Sequence, residues 1–146
     1  MIKIEYPPKK PGIRQIGGRE EIFCIIRKSW MILTPEEWVR QNFLLYLTEV
    51  LKFPASLIAV EKQLLISEVK KRFDIVVYTN TMNPHILVEC KEMEVKLTHQ
   101  VMDQLLVYYA SIQSPFLVIT NGVLTFAFKK MGNNLVPVES EKEFLT

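Results

Sequence analysis

Apolar positions recur along this chain in two rhythms. From Thr34 to about Lys52, Val39, Phe43, Leu47, Val50 and Leu51 return at three- and four-residue steps, the spacing of a helix with one core-facing stripe. Thr34 is placed to cap that helix, Pro35 suits its first position, Glu37 falls at the third, and Pro54 bars much extension. A second helix fits Thr98 to Ile112, where Val101, Leu105, Tyr109 and Ile112 recur at helical spacing before Ser114-Pro115 ends it. Strand-like runs occupy about Ile58 to Ile66, Phe73 to Tyr78 and His85 to Lys91, the last two joined by the turn-rich stretch Thr79 to Pro84 as a hairpin. Two more, Phe116 to Thr120 and Val123 to Phe128, flank Asn121-Gly122, a tight-turn signal. Ile22 to Ile26 and Trp30 to Leu33 predict a short hairpin near the start. Residues 1–20 hold three of the eight prolines and the pair Gly17-Gly18, and are expected to form an irregular arm ahead of a single domain over 21–146. The order helix, three strands, helix, two strands predicts an α/β fold with a mixed central sheet flanked by helices.

Composition narrows the class without naming it. A chain of 146 residues, 49% hydrophobic and 23% charged, matches one globular domain with one core. No apolar run approaches the roughly 20 residues that span a bilayer, and Met1 to Lys10 contains no apolar stretch of the secretory kind, so a cytoplasmic protein is expected. Cys24 and Cys90 fall in apolar strand-like segments and read as buried free thiols rather than a disulfide or zinc site. The net charge of +2 permits nucleic-acid binding without requiring it. His85 and His99 lack metal-ligand spacing, and Trp30, Trp38, Tyr46, Tyr78 and Tyr109 read as packing residues.

One group of polar residues does not fit a plain core. Asp74 interrupts the apolar run Phe73 to Val77, while Glu89 and Lys91 share one face of Ile86 to Lys91 opposite Ile86, Val88 and Cys90. If the hairpin turns about the middle of Asn80 to Asn83, Asp74 comes to lie opposite Glu89. Two carboxylates facing each other are mutually destabilising and call for a positive charge, which a divalent ion with Lys91 beside it supplies. Oxygen ligands of this kind suit Mg²⁺, which polarises a phosphoryl oxygen, while an ammonium is a good partner for phosphate. The implied reaction is phosphodiester hydrolysis; the competing reading is an exposed salt-bridged face.

These pieces, taken in order, resemble the PD-(D/E)xK nuclease superfamily, in particular the N-terminal nuclease domain of the type I restriction enzyme R subunit. The resemblance rests on Leu33 to Gln41, on Arg72-Phe73-Asp74, on Glu89-Cys90-Lys91, and on Gln104 to Tyr108 with its Gln-x-x-x-Tyr pattern, and spans roughly residues 20–130. It implies a restriction-endonuclease-like core and a Mg²⁺-dependent DNA endonuclease, with Mn²⁺ able to substitute. Asp74 and Glu89 would be metal ligands and Lys91 the catalytic lysine. Glu37 resembles the acid of the first helix, reaching the metal directly or through water, although Thr34-x-x-Glu37 is equally a capping box. Gln104 and Tyr108, with Gln100 extending the stripe, would contact DNA or support the site, against an ordinary helix surface as the alternative.

The residue before Asp74 is Phe73 rather than Pro, which leaves the acid in place. The chain carries no Gly-x-x-x-x-Gly-Lys-[Ser/Thr] loop, so a nuclease-like domain without the helicase motor, free-standing or a fragment, is expected. DNA is the expected partner, with restriction-modification or helicase subunits and a homodimer as further assemblies, and no membrane. Lys70-Lys71-Arg72, Lys96, Lys129 and Lys130 offer charges for a phosphate backbone, or are solvated ends of strands. The runner-up function is a non-catalytic nucleic-acid-binding or interaction module that keeps the nuclease fold. A small-molecule enzyme on another α/β fold finds no Gly-rich phosphate loop or nucleophile elbow here.

Overall fold

The computed structural model describes residues 1–66, 68–109 and 112–146, without the side chains of Ile66, Val69 and Tyr108. Strands β1 (Ile13–Ile16), β2 (Arg19–Cys24) and β3 (Ser29–Ile32) form a small antiparallel sheet. Helix α1 (Pro35–Leu45) follows and runs into a π turn over Tyr46–Val50. Strands β4 (Ile58–Ile66), β5 (Val69–Tyr78) and β6 (Pro84–Cys90) come next, then helix α2 (His99–Tyr109) and strands β7 (Phe116–Thr120), β8 (Thr125–Met131) and β9 (Asn134–Pro137). The larger sheet has the order β4-β5-β6-β7-β8-β9. Among the described residues of this sheet only the β6–β7 pair is parallel, with α2 in the crossover that parallel pairing needs; the other neighbours are antiparallel.

The sheet is covered on both faces, which explains why its central strands are apolar nearly throughout. On one face Val39, Phe43, Leu44 and Leu47 from the α1 region pack with Ile75, Val77, Ile86, Val88 and Val118. On the other, Leu97, Met102, Tyr109 and Ile112 from α2 and its flanks pack with Phe73, Val76, Leu87, Leu117 and Ile119. Each large apolar side chain buried in this way stabilises the fold by roughly 1.5–3 kcal/mol.

The predicted helix start holds: Thr34 Oγ1 accepts from Glu37 N at 3.0 Å and Pro35 opens the helix. The predicted stripe holds for Val39, Phe43, Leu47 and Leu51, but Val50 is 36% exposed. The cause is the π turn, in which Leu51 N donates to Tyr46 O five residues back at 3.1 Å, widening the last turn and swinging Leu51 rather than Val50 inward.

Other boundaries differ for local reasons. Residues 13–16, inside the stretch expected to be irregular, form β1 because Gly17 and Gly18, both at positive φ, turn the chain back onto β2. Ile2 bridges Thr125 and is buried in the core. Strand β8 begins at Thr125, since Asn121 Oδ1 accepts from both Val123 N (2.9 Å) and Leu124 N (2.7 Å) and holds those residues in the loop. Strand β9 and the final 3₁₀ turn over Glu141–Leu145 carry no strong apolar rhythm and were not expected. No described helix is long and apolar enough to cross a membrane. Cys24 and Cys90 are buried and free, as expected.

Candidate active site

The site forms where β5 and β6 part. Their ladder runs from Tyr78 to the pair Ile75↔Val88 and stops there. A regular continuation would set Asp74 directly against Glu89, an unfavourable meeting of like charges. Instead the Asp74 carboxylate turns into the gap: Oδ2 accepts from the Cys90 backbone N–H at 2.8 Å, and Oδ1 from Arg40 Nη2 at 2.9 Å. On the far side of β5, Glu61 takes a positive φ of 52°, marking the same position as irregular on β4. Phe73 belongs to the α2-side cluster and Ile75 to the α1-side cluster, so the face of the strand changes at Asp74.

Glu89 is anchored from the opposite layer. Tyr109 Oη, at the end of α2, donates to Glu89 Oε2 at 2.9 Å, and Lys91 Nζ lies 3.6 Å from Glu89 Oε1. The Glu89 side chain is 17% exposed, that of Lys91 35%. Burial and the negative charge of Asp74 push the Glu89 carboxyl up to about 7, against the lowering effect of Tyr109 and Lys91. Lys91 and Glu89 are thus in direct contact, and the charge of Asp74 is felt at Glu89 across the gap between the strands. Lys91 N continues the parallel pairing by donating to Thr120 O at 2.8 Å, which fixes the backbone that carries the lysine.

Glu37 does not close a capping box with Thr34. Thr34 caps the helix, but the Glu37 carboxylate accepts from Arg40 Nη1 (2.7 Å), Arg27 Nη2 (2.9 Å) and Gln41 Nε2 (2.9 Å). Burial alone would raise its carboxyl; the Gln41 hydrogen bond and the charges of Arg40 and Arg27 hold it below the ordinary value. Arg40, only 5% exposed, also reaches Glu36 Oε1 at 2.7 Å, so one guanidinium ties α1 to Asp74. Glu37 therefore stands behind the site, joined to Asp74 through Arg40.

Gln100 and Gln104 are exposed on α2, and among the described residues neither bonds to Asp74, Glu89 or Lys91. The side chain of Tyr108 lies outside those described. Arg40, Arg27, Gln41 and Tyr109 are the site residues that sequence reasoning did not assign. Arg40 had a signal: it stands three and four residues after Glu37 and Glu36, the spacing of helical ion pairs. Tyr109 was read as packing and does pack on Phe73 (ring centroids 5.6 Å apart), but its hydroxyl needed a partner. Of the other cations, Lys129 pairs with Glu143, and Lys130 Nζ donates to Ile112 O at 2.6 Å, so both tie elements together.

Among the described residues, no group of three or more His, Cys, Asp or Glu is placed to hold a metal ion. Two carboxylates do suit Mg²⁺, which takes most of its remaining ligands from water and phosphate. Each Asp74 oxygen accepts one hydrogen bond and retains a lone pair.

A mixed sheet between two helices, with an acid on β5 and Glu-x-Lys on β6, is an α/β architecture compatible with the restriction-endonuclease-like fold. Residues 35–140 match the family described as type I restriction enzyme R protein N terminus, and the chain belongs to that family. No curated protein matches the chain.

Proposed function

We propose that this domain is a metal-dependent DNA endonuclease that hydrolyses phosphodiester bonds, of the R-subunit N-terminal kind. The observation that supports the reading is the Lys91 ammonium 3.6 Å from Glu89 on β6, beside the break in the ladder into which the Asp74 carboxylate turns. Mg²⁺ or Mn²⁺, when bound, supplies Lewis acidity toward a phosphoryl oxygen and offsets the repulsion between the acids. Asp74, fixed by Arg40 and the Cys90 N–H, and Glu89, oriented by Tyr109, are the residues that would hold it. Lys91, partly exposed beside Glu89, sets a compact positive charge against the phosphate as negative charge builds on it. Glu37 keeps Arg40 in place and so positions Asp74.

Purified protein is expected to nick supercoiled plasmid with Mg²⁺ or Mn²⁺, and Lys91→Ala to stop nicking without changing the melting temperature. Absence of cleavage by the unaltered protein with either ion contradicts the reading. One observation favours a second reading: the Arg40 guanidinium already neutralises Asp74. In a non-catalytic nucleic-acid-binding module it would stand in for the cation, and DNA would bind with or without metal and remain uncut.

A further inference from the structure

The β4–β5 hairpin extends well past the rest of the sheet. β5 pairs with β4 from Ile58↔Val77 to Ile66↔Val69, but with β6 only from Ile75 to Tyr78. Beyond Asp74 the ribbon is two strands wide, and the five steps from Asp74 to Val69 carry it roughly 16 Å. Its root is packed, with Phe73 buried and Leu64 resting on the α2-side cluster. Lys62, opposite Phe73 at the root, is exposed, as are Gln63 and Arg72 one step out; Lys70 is exposed farther out, opposite Leu65, which is 69% exposed. A two-stranded ribbon of this length is marginal by itself in water, so its outer part has little internal reason to exist.

Its charge points to the partner. Residues 61–73 carry Lys62, Lys70, Lys71 and Arg72 against Glu61 and Glu68. Glu61 is engaged at the root, 3.3 Å from both Arg27 and Arg72. Because Phe73 and Leu64 face α2, alternation sets Lys70 and Arg72 on the other side of the ribbon, the side from which Arg40 reaches Asp74. The two cations therefore stand in line with Asp74 along β5.

We propose that the β4–β5 hairpin beyond Asp74 is an arm that grips duplex DNA, with Lys62 near its root and Lys70 farther out contacting phosphates on either side of the ribbon. This rests on the nuclease reading for the polarity of the arrangement, since a duplex running along the arm brings a phosphate to Asp74. A two-stranded ribbon fits the B-form major groove, about 12 Å wide, whereas the deep, narrow major groove of duplex RNA does not admit one. Edge lysines also discourage strand-to-strand aggregation, but that role gives them no effect on DNA affinity.

The test is fluorescence anisotropy of a labelled mixed-sequence DNA duplex, titrated in EDTA across a salt series with the unaltered protein and with Lys62→Gln/Lys70→Gln. The double variant should bind about tenfold more weakly at moderate salt, and its slope of log K against log salt should be shallower by up to about 2. Its melting temperature and its response to Mn²⁺ should stay unchanged. Equal affinity and slope in both proteins overturn the arm, as does failure of the unaltered protein to bind duplex DNA. A variant whose only change is in self-association, read by light scattering, also overturns it and makes the ribbon a protein contact. Loss of binding in the variant with no metal-dependent cleavage by the unaltered protein keeps the arm and removes the nuclease reading; intact cleavage in the variant with unchanged binding does the reverse.

Discussion

The Arg40 guanidinium, carried on α1, donates to Asp74 Oδ1 on β5 at 2.9 Å while holding Glu36 and Glu37 at 2.7 Å. Opposite it, Tyr109 on α2 holds Glu89 at 2.9 Å. The two carboxylates of the site are thus anchored from the two helical layers that cover the sheet. Their positions follow from core packing, because a helix that shifts carries its anchor with it.

Removing Arg40 should be costly. Arg40→Met leaves Asp74 without its cation and Glu37 with Arg27 alone, and breaking such a pair from one side costs about 3–5 kcal/mol. Urea denaturation of the variant near neutral pH measures this. A loss below about 1 kcal/mol would show that solvent replaces the guanidinium freely.

Tyr109→Phe keeps the ring against Phe73 and removes only the hydroxyl. Stability should fall by about 1 kcal/mol. The hydroxyl lowers the Glu89 carboxyl, so its loss should move that group above about 7, read by carboxyl-carbon NMR titration. An unmoved or lowered titration contradicts the hydrogen bond.

Glu89 makes stability depend on pH in a defined direction. Its carboxyl lies at about 7 in the folded chain against an ordinary 4.5, so the folded state holds the proton more tightly than the unfolded state. The associated stability is full below about 4.5, is lost as pH rises through about 7, and amounts to on the order of 3 kcal/mol. In EDTA, Glu89→Gln should therefore be more stable than the unaltered protein at about pH 8 and show no such decline. Denaturation midpoints for the two proteins across this range check it, and parallel curves would contradict it.

Gly122 stands at φ 88°, and a Cβ there would meet Val39 Cγ2 at 3.3 Å. Gly122→Ala should destabilise by about 1–3 kcal/mol through backbone strain and pressure on α1. Thermal melting measures it; an unchanged midpoint would show that the loop relaxes.

The sequence made the main elements legible where periodicity was strong. The first helix, opened by Thr34-Pro35, and the strands around Phe73 to Lys91, apolar on both faces, fell close to expectation, and the second helix was found over His99–Tyr109; its expected extension to Ile112 crosses 110 and 111, outside the described residues. Strand β9 escaped because Asn134 to Pro137 has only Leu135 facing the core. Asp74, Glu89 and Lys91 stood out because a charged residue breaks a buried pattern. Arg40 and Tyr109 did not: a helical Arg and a Tyr on an apolar stripe look ordinary until tertiary structure supplies their partners. The break in the β5–β6 ladder also depends on contacts that no local pattern encodes.

The central claim is that Asp74 and Glu89 together hold a divalent ion. Titrating Mn²⁺ into the protein and counting free ion by electron paramagnetic resonance tests it without requiring catalysis. The account predicts saturable binding in the unaltered protein and in Lys91→Ala, weakened at least about tenfold in Asp74→Asn and in Glu89→Gln. Equal binding in all four proteins, or none in the unaltered one, would contradict it.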